Sequence, residues 1–148
     1  MSNKKIIVAS DHAGYLLKNQ IVNYLKSLKY NVSDLGVATE AVSVDYPLKA
    51  QELAHVLKDD NQACGILICG TGIGMCIAVN RYPFIRGALV YDKQTALMAR
   101  QHNDANVLCL GGRTTSFDVA KKLVDIFLTT PFDGGRHEKR VLELGEMK

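Results

Sequence analysis

The chain has 148 residues, 47% of them hydrophobic and 22% charged, which suits one domain with a core of its own, 1–148, and excludes a disordered, collagenous or coiled-coil protein. Its 18 Lys and Arg against 15 Asp and Glu leave a net charge of +3. That excludes nucleic-acid binding by bulk charge, so any anion must be held by a few placed residues.

Short β-branched runs alternate with amphipathic stretches along the sequence, the rhythm of βαβ units. Lys5 to Ser10 reads as the first strand. Gly14 to Leu28 reads as a helix, with Leu17, Ile21, Leu25 and Leu28 along one face. A second strand is expected at Asn31 to Leu35, then a longer connection to Tyr46, and a helix from Pro47 to Lys58. Proline suits a first helical turn, where its missing N–H costs nothing. Ala63 to Cys69 is an almost continuous apolar run, as expected of a central strand buried on both faces. It ends in Gly70-Thr71-Gly72-Ile73-Gly74, with a helix expected over Met75 to Asn80. A fourth strand is expected at Ile85 to Tyr91, a helix at Lys93 to Gln101 capped by Asp92, and a fifth strand at Asn106 to Leu110. A long helix follows over Phe117 to Leu128, where Thr115 and Asp118 resemble a capping box, and then a terminal helical segment. The expected fold is α/β, a Rossmann-like three-layer αβα sandwich around a five-stranded parallel sheet.

No stretch approaches the ~18 apolar residues of a membrane span. Cys64, Cys69, Cys76 and Cys109 all lie in apolar surroundings, and the first residues are too brief for a secretory signal. A cytoplasmic protein with reduced thiols is expected, with no membrane or nucleic-acid partner. Zinc-ligand spacing is absent, so no metal is expected.

Ligands of open α/β sheets bind beyond the carboxyl ends of the strands. Those positions here are polar: Asp11-His12-Ala13-Gly14 after the first strand, Cys69 to Gly74 after the third, and Gly111-Gly112-Arg113 after the fifth. The glycine loop leaves a strand and enters a helix, so its N–H groups can meet an anion or a developing oxyanion. It lacks the Gly-Lys-Ser/Thr of a Walker loop, and Met75 stands where a dinucleotide fingerprint has its third glycine. A plain tight turn and a nucleotide loop both remain open on spacing alone. Cys69 sits where a helix dipole favours a thiolate, whereas Cys64, Cys76 and Cys109 read as core thiols. His12, His102 and His137 fall in polar loops and suit acid–base or phosphate roles, with structural hydrogen bonds as the alternative; His55 falls inside a helix. Arg136 and Arg140, four apart, would share a helical face and could clamp a phosphate or form a solvated basic surface.

Five ordered motifs together resemble the ribose-5-phosphate isomerase B family, the RpiB/LacA/LacB sugar-phosphate isomerases. They are Ser10-Asp-His-Ala-Gly14, Asp45-Tyr-Pro47, Gly65 to Gly74, Arg100-Gln-His-Asn-Asp-Ala-Asn106 and Gly134-Gly-Arg-His-Glu-Lys-Arg140. The resemblance implies interconversion of ribose 5-phosphate and ribulose 5-phosphate through an enediolate, without metal or organic cofactor. It implies Cys69 as the base, His102 in ring opening, and Thr71 with the amides of Gly70, Gly72, Ile73 and Gly74 around the enediolate oxygens. Asp11, His12 and Asn103 would bind the sugar and its phosphate, and Arg113, Arg136 and Arg140 would be the anion-binding arginines. Some members carry a later Glu base; this chain has Met75 in that neighbourhood, which fits a cysteine-type mechanism. The resemblance also implies homodimers, with tetramers as a further step, whose sites borrow residues from the second subunit. Allose 6-phosphate and galactose 6-phosphate are alternative substrates within the same family, and a non-catalytic nucleotide-binding module is the rival from another class.

Overall fold

The computed structural model describes residues 4–147. Strand β1 (Lys5–Ser10) leads through a 3-10 turn (His12–Gly14) into helix α1 (Tyr15–Ser27), then β2 (Asn31–Asp34), α2 (Tyr46–Lys58), β3 (Cys64–Cys69) and α3 (Ile73–Val79). After these come β4 (Gly87–Leu89), α4 (Lys93–Gln101), β5 (Val107–Gly111), α5 (Phe117–Thr129) and α6 (Arg136–Glu146). The five strands form one parallel sheet in the order β2-β1-β3-β5-β4, the expected three-layer α/β architecture.

Period-two alternation sorts the strand side chains into two layers. Ile6, Val8, Ile66, Ile68, Leu108 and Leu110 pack on one face against α1, α4 and α5. Ile7, Ala9, Leu67, Cys69, Val107 and Cys109 pack on the other against α2 and α3. Every residue of β3 is buried, which explains its unbroken apolar run. At the sheet edge, the buried Lys18 of α1 reaches both carboxylate oxygens of Asp34, at 2.9 and 3.0 Å. This pair ties β2 to the helix above it.

Four sequence expectations need correction. The fourth strand is only Gly87–Leu89, because the flanking amides are engaged elsewhere: Ile85 N–H donates to the Tyr82 carbonyl and Arg86 N–H to Asn106 Oδ1. Helix α3 begins at Ile73, before the expected Met75, since Gly72 at φ +80° turns the chain straight into it. The N-cap of α5 is Ser116, whose hydroxyl accepts from Val119 N–H at 3.3 Å; Thr115 does not cap it. His137 is no loop residue: it lies in the first turn of α6 and is 9% exposed. The Asp92 cap of α4 is as read, with its side chain accepting from Thr95 N–H at 2.7 Å.

Candidate active site

The strands β1, β3 and β5 are neighbours, so the loops at their carboxyl ends form one rim. Cys69 ends β3, is 5% exposed, and accepts a hydrogen bond on Sγ from Gly72 N–H at 3.2 Å. A Cβ at Gly72 would lie 2.7 Å from Leu89 Cδ1 and 2.9 Å from the Leu110 carbonyl carbon. The glycine is therefore required twice, for its positive φ and for its close seat against β5, and it brings the amide onto the sulfur. The Thr71 hydroxyl accepts from Ile73 N–H at 3.3 Å, leaving its O–H as a donor at an exposed position. First-turn N–H groups of a helix have no acceptor within it, so this loop offers donors to an anionic oxygen.

The neighbouring loops close on it. Asp11 is 6% exposed, and its carboxylate accepts from Gly14 N–H at 3.1 Å while its own N–H donates to the Ile68 carbonyl. His12 Nδ1 accepts from Val44 N–H at 3.1 Å, which fixes the ring and puts its proton on Nε2. Gly112 N–H donates to the Cys69 carbonyl and Arg113 N–H to the Gly70 carbonyl, at 2.8 and 2.9 Å. These bonds hold the exposed Arg113 guanidinium beside Gly70, with Nη1 3.5 Å from where a Cβ would stand. Tyr46 lies across the start of α3, where a Cβ at Gly74 would sit 2.7 Å from its ring.

A second cluster lies at the opposite end of the sheet. Helix α4 runs back from β4, so His102 and Asn103 fall just before the amino end of β5. Arg100 donates from Nη1 to Asp104 Oδ1 and to the Ala105 carbonyl, at 2.9 and 2.7 Å. Arg86 adds a bond from Nε to the Asp104 carbonyl at 2.8 Å. Together these hold the 102–105 turn, where Asp104 takes φ +46°. The chain after α5 is tied to the same place, since Asp133 N–H donates to the Gln101 carbonyl. Gly134 and Gly135, at φ +67° and +55°, then turn it into α6. His102, Asn103, His137, Arg140 and Glu143 line one groove there. His137 is held below the usual imidazole range by burial and by the nearby His102, Arg136 and Arg140 charges. One ligand atom each from His102, Asp133 and His137 lies within 4.8 Å of the others. Two arginines adjoin this trio and Arg136 Nε donates to His137 Nε2 at 3.4 Å, so the surroundings favour an anion over a metal cation.

The two clusters stay apart within one chain. In a single chain Arg113 and His12 do not converge with Arg136 and Arg140, because the length of β3, roughly 15–20 Å at the usual rise per residue, separates the two rims.

Residues 6–144 match the family model for Ribose/Galactose Isomerase. The chain belongs to this family. It is 47% identical over 139 residues to a probable ribose-5-phosphate isomerase B of Mycoplasma pneumoniae, covering 94% of this chain and 91% of that one. With the ribose-5-phosphate isomerase B of Escherichia coli it shares 40% over 138 residues, or 93% and 92% of the two chains. A crystal structure of a ribose 5-phosphate isomerase from Thermotoga maritima superposes with a TM-score of 0.95 at 46% identity, covering 99% and 100%. A ribose-5-phosphate isomerase B from Mycoplasma genitalium with bound ribulose-5-phosphate superposes at 0.94 and 41% identity, covering 99% and 97%.

Within this family framework the structure brings together Asp11, His12, Cys69, Gly70, Thr71, Gly72, Ile73, Gly74 and Arg113 at one rim, and His102, Asn103, Arg136 and Arg140 at the other. The cysteines divide less simply than three core thiols and one reactive one. Cys64 and Cys109 are buried, and burial pushes the Cys64 thiol up to about 11. Cys76 is half-buried, and a hydrogen bond from Cys109, with help from the Leu89 backbone and Asn80, brings it down to about 7. Sequence reading did not single out Tyr46, Arg86 or Arg100 for the site. Tyr46 and Arg100 lay in motifs already noticed, Asp45-Tyr-Pro47 and Arg100 to Asn106; Arg86 carries no sequence signal.

Proposed function

We propose that this chain is a ribose-5-phosphate isomerase, a single domain of 1–148 that interconverts ribose 5-phosphate and ribulose 5-phosphate in the pentose phosphate pathway. The observation that carries the reading is the Cys69 sulfur at the head of a donor-rich glycine loop, in a member of a sugar isomerase family. His102 assists opening of the furanose ring by protonating its oxygen. Cys69 then takes the C2 proton and returns it to C1, while the hydroxyl proton passes from O2 to O1. The intermediate is an enediolate, and the Thr71 hydroxyl and the glycine-loop amides not already bonded to Cys69 and Thr71 stand where its negative charge develops. C1 is reduced as C2 is oxidised, so the substrate supplies both halves of the redox change and no cofactor is called for. Asp11 and Asn103 hold sugar hydroxyls, and His12, Arg113, Arg136 and Arg140 hold the phosphate.

A homodimer completes the site. The separation of the two rims supports this, because a second copy can bring its α6 and His102 end to the Cys69 rim of the first. The side chains of Ile73, Ile77 and Leu48 beside that rim are more than half exposed, an apolar margin suited to a partner. The cytoplasm is the fitting compartment, since the four cysteines are free thiols.

The deciding experiment compares turnover of ribose 5-phosphate, allose 6-phosphate and galactose 6-phosphate side by side, with a thermal-shift panel of adenine nucleotides. Preference for ribose 5-phosphate is expected. Preference for a six-carbon substrate would replace the substrate assignment, and stabilisation by nucleotides without any isomerisation would overturn the enzyme reading.

A further inference from the structure

His137 has no part in the mechanism above, yet its surroundings are unusually specific for a histidine in the first turn of a surface helix. Its ring lies 4.3 Å from that of His102, centroid to centroid, with only 15° between the planes. It is nearly buried while its sequence neighbours Arg136 and Glu138 are exposed. Two positive-φ glycines and the Asp133 to Gln101 hydrogen bond deliver it to this position. The groups around the pair come from three segments: His102 at the end of α4, Asp133 between α5 and α6, and Arg136 and Arg140 on α6.

Two imidazoles stacked face to face at this distance cannot both carry a proton without placing two like charges in contact. The surroundings decide which ring stays neutral. Arg136 Nε donates to His137 Nε2, so that nitrogen offers its lone pair to a permanent cation and cannot also bind a proton. Arg140 adds a second positive charge nearby, and burial removes the water that would solvate an imidazolium. His102 is less buried than its partner.

We propose that His137 is the positioning residue for His102: its neutral ring fixes the plane of the His102 imidazole and reserves the ring-opening proton for that residue. The inference rests on the isomerase reading above and assigns His137 an aromatic role, separate from phosphate binding. Ring opening is required of the furanose form of ribose 5-phosphate. Ribulose 5-phosphate is open-chained, so exchange of its C1 proton with solvent needs the base and the enediolate donors alone.

The test uses the full-length protein with His137→Asn, which removes the aromatic face, and His137→Phe, which keeps it. Turnover and KM with ribose 5-phosphate are measured beside deuterium incorporation at C1 of ribulose 5-phosphate in heavy water. H137N is expected to lose roughly 10²-fold in kcat, the scale of a misplaced catalytic group, with KM changed less than about threefold and C1 exchange retained. H137F is expected to recover turnover to within about threefold of wild type. Equal losses in both variants, unchanged turnover in H137N, or an effect confined to KM would each overturn the positioning role. Failure of the wild-type protein to catalyse either isomerisation or exchange would instead remove the isomerase reading itself.

Discussion

Substituting Cys69 separates chemistry from folding, because its sulfur has two partners of different kinds: the substrate proton and the Gly72 N–H. Cys69→Ala removes the acceptor of that buried amide, and an unsatisfied buried donor costs about 1–3 kcal/mol. The vacated sulfur volume adds on the order of 1 kcal/mol. Cys69→Ser keeps an acceptor of similar reach for the 3.2 Å bond and should lose about 1 kcal/mol or less. Neither variant retains a group able to take a proton from carbon near neutral pH, so both should lose roughly 10²–10⁴-fold or more in kcat. Urea unfolding curves and ribose 5-phosphate turnover on the same preparations check both halves. Near-normal turnover in the serine variant would refute the base. Equal destabilisation by serine and alanine would refute the role of the amide bond.

Three further outcomes follow from the geometry. Arg136→Ala and Arg140→Ala should each raise KM far more than they lower kcat, because the phosphate is held in ground and transition states alike; unchanged kinetics in both would remove the clamp. Mixing Cys69→Ala protein with His102→Ala protein under conditions of subunit exchange should restore activity to about a quarter of wild type, since half the dimers would each carry one intact site; no recovery would refute a site shared between copies. Tyr24 donates to both carboxylate oxygens of Asp125 at 2.8 Å, and partial burial followed by that carboxylate pushes its phenol up to about 12. Its folded value lies above the unfolded one of 10.0, so its contribution is complete below pH 10 and fades as pH rises through about 12. Wild type should therefore lose more stability than Tyr24→Phe over that window in alkaline urea titrations; parallel curves would refute the assignment.

Much of this was legible because the responsible signals are local. The buried run Ala63 to Cys69 announces a central strand by composition alone, and the Asp92 cap needs only its own neighbours. Signals that depend on competing partners misled. Thr115 and Ser116 are both capping residues, and only the backbone around them selects Ser116. Ile85 and Tyr91 are good strand formers whose amides are taken by a turn and by the Asp92–Thr95 cap region. For the site, residue identities came through family motifs, while their placement did not. The Arg100 to Asn106 segment precedes β5, which already places His102 at the amino end of the sheet, opposite Cys69. That topological sign lies in the order of elements, and it goes with the expectation of sites that borrow residues from a second copy. The burial of His137 depends on a contact between α6 and the end of α4, beyond the reach of any periodicity.

The sheet order has one more consequence. The edge strands β2 and β4 have four and three residues, while β1, β3 and β5 between them are covered on both faces. Local opening should begin at the edges, and the amides of the three inner strands should be the last to exchange with solvent. Asp11 follows β1 directly, Cys69 ends β3, and Arg113 stands two residues beyond β5. The reactive rim is thereby suspended from the slowest-opening part of the molecule, so that fluctuations of the periphery leave the spacing of its charged and nucleophilic groups intact.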